Sequence, residues 1–145
     1  MKAKMIAAVS TVAAVTAVGP AAFAHADTLY QFQSPSGNIT CVMAALVGIA
    51  PHVSCEIVDH TWVAPSRPQV CMGAWGDRID LDQGSPPALT CHTDTTRGSG
   101  LPALQYGDKR SMASLTCESE PAGITCTDSS TGHFFGISRE SYELK

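Results

Sequence analysis

The chain lacks the short spacings that announce a metal or a nucleophile. It contains no C-x-x-C, no H-x-H and no H-E-x-x-H, so the ligand spacings of a zinc site are missing. It contains no G-x-S-x-G elbow, the turn that presents a hydrolase serine. Clustered cations are also missing: Lys109-Arg110 is the one adjacent pair. Nucleic acid and anionic lipid both need grouped Lys and Arg, so neither is an expected partner. Beyond residue 26 no useful run of 3.6-residue periodicity occurs, which argues against a helical architecture.

What is present begins with the N-terminal segment. Lys2 and Lys4 precede an uncharged stretch from Met5 to Ala24, closed by Gly19-Pro20 and by the small-residue frames Ala22-Phe23-Ala24 and Ala24-His25-Ala26. This pattern reads as a secretory signal, residues 1–26, cleaved after Ala26. Residues 27–145 then form the single expected domain. They carry seven Lys or Arg against thirteen Asp or Glu, a formal charge of −6. Six cysteines in an exported chain of this size imply disulfides, so the expected location is secreted or cell envelope. No stable membrane insertion is expected once the signal is gone.

Five of the six cysteines close one phrase, an aliphatic residue, then Ser or Thr, then Cys. It reads Ile39-Thr40-Cys41, Val53-Ser54-Cys55, Leu89-Thr90-Cys91, Leu115-Thr116-Cys117 and Ile124-Thr125-Cys126. Side chains alternate along a strand, so the aliphatic residue and the sulfur share one face and the hydroxyl takes the other. The phrase therefore predicts sulfurs in a core and hydroxyls in water. Cys71 has Gln69 two places earlier and no such signal. Six cysteines allow 15 pairings. Local topology favours pairing in order: Cys41–Cys55, Cys71–Cys91 and Cys117–Cys126.

Alternating stretches mark the strands. Tyr30 and Phe32 begin the series; Ile39, Cys41 and Met43 share a face, as do Val53, Cys55 and Ile57. Gln69–Trp75 and Leu104–Tyr106 also read as strand candidates. Ile79 and Leu81 alternate with Arg78, Asp80 and Asp82. Leu115 to Cys126 reads as a hairpin, and Phe135 and Ile137 share the face of a late strand. Ser138–Leu144 reads as strand or a last helical turn, and Thr95–Pro102 as a mobile loop. Turn signals recur throughout, as at Ser34-Pro35-Ser36-Gly37. The expected fold is all-β, a small antiparallel sandwich or barrel stapled by disulfides.

The motifs Ser34-Pro35-Ser36-Gly37-Asn38-Ile39, Cys55-Glu56-Ile57, Trp75-Gly76, Tyr106-Gly107, Gly123-Ile124-Thr125-Cys126 and Thr131-Gly132-His133 occur together. As a set they resemble a family of small exported actinobacterial proteins, common in mycobacteria, known as a domain of unknown function (DUF6636). The resemblance spans nearly all of residues 27–145. It implies export and a compact disulfide-bonded fold, and it supplies no activity. The family pattern has Gly after the Gly-His pair, where this chain has Phe134, and a shorter first cysteine hairpin.

Candidate chemistry is sparse. Asp77, Asp80 and Asp82 precede Gly84, but they lack an EF-hand loop pattern and read as a solvated face. His92 lies two residues from Asp94, and His133 follows Gly132; these are the pocket candidates. On a strand His92 and Asp94 would point outward together. Glu56, Glu118 and Asp128 are carboxylates without a spacing that sets two about a cleft. Trp62, Trp75, Tyr30 and Tyr106 could stack on sugars, although large aromatics in small β-domains more often fill the core. Leu46, Val47 and Ile49, in the uncharged stretch Ala44–Pro51, form a candidate contact surface. No catalytic, cofactor or metal residue is assigned. The expected function is a non-catalytic binding module for an envelope component, protein or small molecule. The alternatives are a small hydrolase using His92 or His133 with a carboxylate, and a purely structural envelope protein.

Overall fold

The computed structural model describes residues 27–145. The signal read at 1–26 lies outside the described residues. Ten strands follow one another: β1 Thr28–Gln33, β2 Ile39–Ala45, β3 His52–Ile57, β4 Arg78–Asp82, β5 Ala88–Leu89, β6 Lys109–Met112, β7 Leu115–Ser119, β8 Gly123–Asp128, β9 Phe134–Ser138 and β10 Tyr142–Leu144. The first five form one antiparallel sheet in chain order, and the last five form a second. Each sheet is a meander, so neighbours in sequence are neighbours in space. The fold is all-β, as the alternation predicts.

The two sheets meet through their aliphatic and cysteine faces. Cys41, Cys55, Cys117 and Cys126 are fully buried with Ile79, Leu81, Leu115 and Phe135. Cys41 faces Cys55 across β2 and β3, and Cys117 faces Cys126 across β7 and β8, with Cα separations of 4.1 and 4.0 Å. Those separations match the close, non-hydrogen-bonded kind of antiparallel pair, where opposed side chains approach most nearly. A disulfide joins each pair. A third joins Cys71 to Cys91 in the connecting segments.

Several local expectations give way. Gln69–Trp75 forms turns, with a single bridge from Ala74 to His92, because Cys71 is held by Cys91 and not by a strand neighbour. Leu104–Tyr106 forms no strand; Ala103 makes one parallel bridge to Gln33, and Leu104 N–H donates to the Gln33 carbonyl. The Cys91 phrase fails: β5 stops at Leu89 and Cys91 is exposed. Thr95–Pro102 is pinned, since Thr96 is buried and bonded to β2 and β3. Ser138–Leu144 resolves as the end of β9, a turn and β10.

The connections gather at two ends of the sandwich. At one end lie the turns before β2, after β3, between β7 and β8, and between β9 and β10. At the other lie the Leu46–Ile49 tip, the β4–β5 turn and the β8–β9 turn. The sheets are tied at this second end by Asp128. Its buried carboxylate accepts from Gly84 N–H of the first sheet at 2.7 Å, and from Ser114 and Ser130 of the second at 2.6 to 2.9 Å. Burial disfavours that charge, but these hydrogen bonds outweigh it and hold the carboxyl well below the usual range.

Candidate functional site

Two polar assemblies stand out, and they differ in kind. The first lies on the outer face of the first sheet. Val53, Cys55 and Ile57 of β3 point into the core, so Glu56 points outward, between Thr40 of β2 and Arg78 of β4. Yet Glu56 is 1% exposed. The segment from His92 to Arg97 folds over it. Arg78 donates through Nε at 3.0 Å and through Nη2, Thr95 Oγ1 donates at 2.7 Å, and Thr96 N–H at 3.0 Å. Arg97 Nε adds an ion pair at 3.3 Å. Thr40 Oγ1 meets Thr96 Oγ1 at 2.9 Å, so this hydroxyl is buried under the segment and not left in water.

His92 and Asp94 belong to this assembly, but they do not point outward together. His92 is buried; its Nδ1 contacts the Asp94 carbonyl at 2.7 Å and its Nε2 contacts Asp77 Oδ1 at 2.9 Å. Both partners are acceptors, so both ring nitrogens must donate, which requires the imidazolium. Burial opposes that charge; the Asp77 hydrogen bond and the Asp94 carbonyl prevail, and the pKa is raised. The Asp94 side chain stays in solvent while Arg78 Nη1 donates to it at 2.8 Å and lowers its pKa. For Glu56 burial again opposes the charge, and Thr95 and Arg78 overcome it, so its pKa is lowered. Each ionised group here has its partners inside the protein. The assembly fastens a loop to a sheet.

His133 stands apart from this group. It follows Gly132 in the β8–β9 turn of the second sheet, where its carbonyl accepts from Asp128 N–H at 2.8 Å. The aspartates diverge as well: Asp80 accepts from Ser54, and Asp77 from His92 and Arg97. Among the described residues no group of three or more His, Cys, Asp or Glu could hold a metal ion. Leu46, Val47 and Ile49 are exposed by 38, 72 and 58%, so the tip projects from the sheet.

The second assembly is a cleft of about 480 Å³ at the end of the sandwich away from that tip. The turn before β2, the chain after β3, the loop at Tyr106 and the turns after β7 and β9 enclose it. Its walls are fixed through the backbone. Asn38 clamps Asp59, donating through Nδ2 to its carbonyl at 2.9 Å and accepting from its N–H at 2.8 Å. Thr61 N–H donates to the Arg139 carbonyl at 2.8 Å and so links the β3 exit to the second sheet. Trp62, packed against Tyr142, donates to the Ser138 carbonyl at 2.9 Å.

The side chains on those fixed walls are free. Asp59, Tyr106, Glu120, Arg139 and Glu140 are exposed and line the cleft. None of these five side chains bonds or pairs with another described residue. Of the aromatic candidates, Trp62 packs against the core, Trp75 Nε1 donates to the Pro65 carbonyl, and Arg110 covers Tyr30 at 4.9 Å; Tyr106 alone faces the cleft. Sequence reasoning missed Asp59, Glu120, Arg139 and Glu140 because they stand in three separate connections, after β3, between β7 and β8, and between β9 and β10, with no shared spacing.

Comparison with known proteins adds a family and little else. The model of a family of unknown function, DUF6636, matches residues 10–144. A stretch of 80 residues is 32% identical to adenylosuccinate synthetase of Helicobacter hepaticus, covering 52% of this chain and 19% of that protein. The chain thus spans about a fifth of the length of that curated relative. No solved structure matches. The three disulfides fit an oxidising, non-cytoplasmic location. Among the described residues no helix is long and apolar enough to cross a membrane.

Proposed function

The chain belongs to the DUF6636 family, and with no activity attached to that family we propose that this member is a non-catalytic binding module that uses the end cleft. In this reading residues 27–145 act as one exported domain at or outside the cell envelope. One observation carries the proposal. Five polar side chains line a cleft of about 480 Å³, on walls held by the Asn38 side chain's bonds to the Asp59 backbone and by the Thr61–Arg139 backbone hydrogen bond, and none of the five bonds to another. Fixed walls with uncommitted polar groups are what a preformed ligand site needs. Three of these five side chains, Asp59, Glu120 and Glu140, are carboxylates, so the ligand is rich in hydrogen-bond donors.

The hydrolase reading has less support. His92 would need a nitrogen free to accept a nucleophile's proton, and both are engaged. The likeness to the synthetase covers a fifth of that protein and gives no reason to assign its activity here. A purely structural role would leave the free side chains of the cleft without a use.

The test is capture from cell envelope and culture filtrate by oxidised protein. Tyr106→Ala with Glu120→Gln is expected to abolish capture at unchanged Tm, while His92→Asn retains it. Capture indifferent to the cleft variants, or turnover of an ester or glycan lost in His92→Ala, would overturn the reading.

A further inference from the structure

Gly136 sits in the middle of β9, with β8 on one side and β10 on the other. A strand interior is a poor place for glycine, which weakens the strand and brings no side chain to pack. Two glycines of the second sheet make an instructive contrast. At Gly123 an added Cβ would lie 2.1 Å from the Ile137 carbonyl oxygen, so the backbone there admits nothing larger. At Gly136 the nearest atom to an added Cβ is Thr125 Oγ1 at 3.8 Å, and φ is not positive. Neither crowding nor backbone conformation demands glycine at 136. A bare strand position of this kind marks a place where a ligand or another backbone comes close.

Register puts that position on the outer face. Thr125 of β8 and Glu143 of β10 both pair with Gly136, and Phe135 and Ile137 on either side point into the core. The result is a floor at Gly136 between two polar walls, part of a groove of about 160 Å³. This groove and the end cleft share Glu120 and Ala122 of the β7–β8 turn and Gly123 at the start of β8. Glu120 therefore borders both depressions. Glu143, like the acids of the cleft, bonds to no other described side chain.

Along the combined path the acids Asp59, Glu120, Glu140 and Glu143 face a single cation, Arg139. The path offers acceptors, and its charge favours a cationic occupant. We propose that the cleft and the Gly136 groove together bind one extended basic peptide segment of a partner protein. Its backbone lies over Gly136, and its Lys or Arg side chains meet Glu120 and Glu143. The inference rests on the cleft reading above and adds the ligand's class and its course. Glycine at 136 is the residue that lets a backbone approach, and any side chain there would block it.

The test uses oxidised protein and two alternating Ser-Lys peptides, of about four and about ten residues, the longer reaching roughly 33 Å when extended. A neutral oligosaccharide series of matching lengths runs beside them. The longer peptide is expected to bind about tenfold tighter than the shorter, and both to weaken with salt. Gly136→Val should abolish that length-dependent gain, leave the short peptide's affinity unchanged, and not lower Tm. Equal affinity of the two peptides with Gly136→Val silent would overturn the groove inference and leave the cleft reading intact. Binding of the oligosaccharides and not the peptides would overturn the peptide assignment alone. Binding of neither series would overturn both.

Discussion

Cys55 Sγ lies 4.0 Å from Cys126 Sγ, so the Cys41–Cys55 and Cys117–Cys126 disulfides touch across the middle of the sandwich. Oxidised sulfurs carry no proton, and this is a van der Waals contact between two staples, one from each sheet. Every sulfur in it is fully buried. Replacing Cys41 and Cys55 together by alanine removes a 14-residue loop closure and opens space beside Cys126. The expected loss is about 3 kcal/mol from the loop alone, with a cavity cost added. Thermal unfolding should show it as a drop of at least about 10 °C.

The third bridge should behave differently. Cys91 is exposed, whereas the four sulfurs of the core are not. Thiol exchange needs access to sulfur. Mild reductant on folded protein is expected to open Cys71–Cys91 first, and differential alkylation with mass spectrometry reads the order. Simultaneous labelling of all six cysteines before unfolding would contradict the packing described.

Stability should peak on the mildly acid side of neutrality. His92 has a folded pKa raised above 6.5, so its contribution is complete below 6.5 and fades as pH climbs through the folded value. Glu56 and Asp128 are lowered from 4.5 and 3.8, so theirs is complete above those values and fades as pH falls below them. A Tm series across pH should therefore form a dome between these limits. His92→Asn should flatten its alkaline side and leave the acid side in place.

Glu56→Ala should be among the costlier single changes. It leaves Arg78, itself buried, with only Asp94 as a charged partner, and frees the 92–97 segment. Breaking one side of a buried pair costs about 3–5 kcal/mol. Hydrogen exchange should rise at Thr95 and Thr96 before it rises in β2 or β3. By contrast Tyr106→Ala, at an exposed position, should stay within about 0.5 kcal/mol of wild type.

The sandwich was legible wherever strands were long enough to enforce alternation. Ile39, Cys41, Val53, Cys55, Leu115, Cys117, Ile124 and Cys126 all face the core as the repeated phrase requires. At Leu89 the same phrase misleads, because a two-residue strand imposes no alternation on Cys91. Burial of Glu56 had no local signal either. Its strand position is correctly outward, and only the distant 92–97 segment covers it. The cleft was the least legible feature, since its side chains come from turns spread between Ser34 and Glu140 and share only their position at one end of two meanders.

Where a ligand touches the domain decides whether the end cleft is its binding site. Backbone amide shifts of the isotopically labelled, oxidised protein, followed during titration with the longer Ser-Lys peptide, report this residue by residue. The expected shifts cluster at Asn38, Asp59, Tyr106, Glu120, Arg139 and Gly136. Shifts gathered instead on Leu46, Val47 and Ile49, or around His92, would contradict the assignment of the cleft.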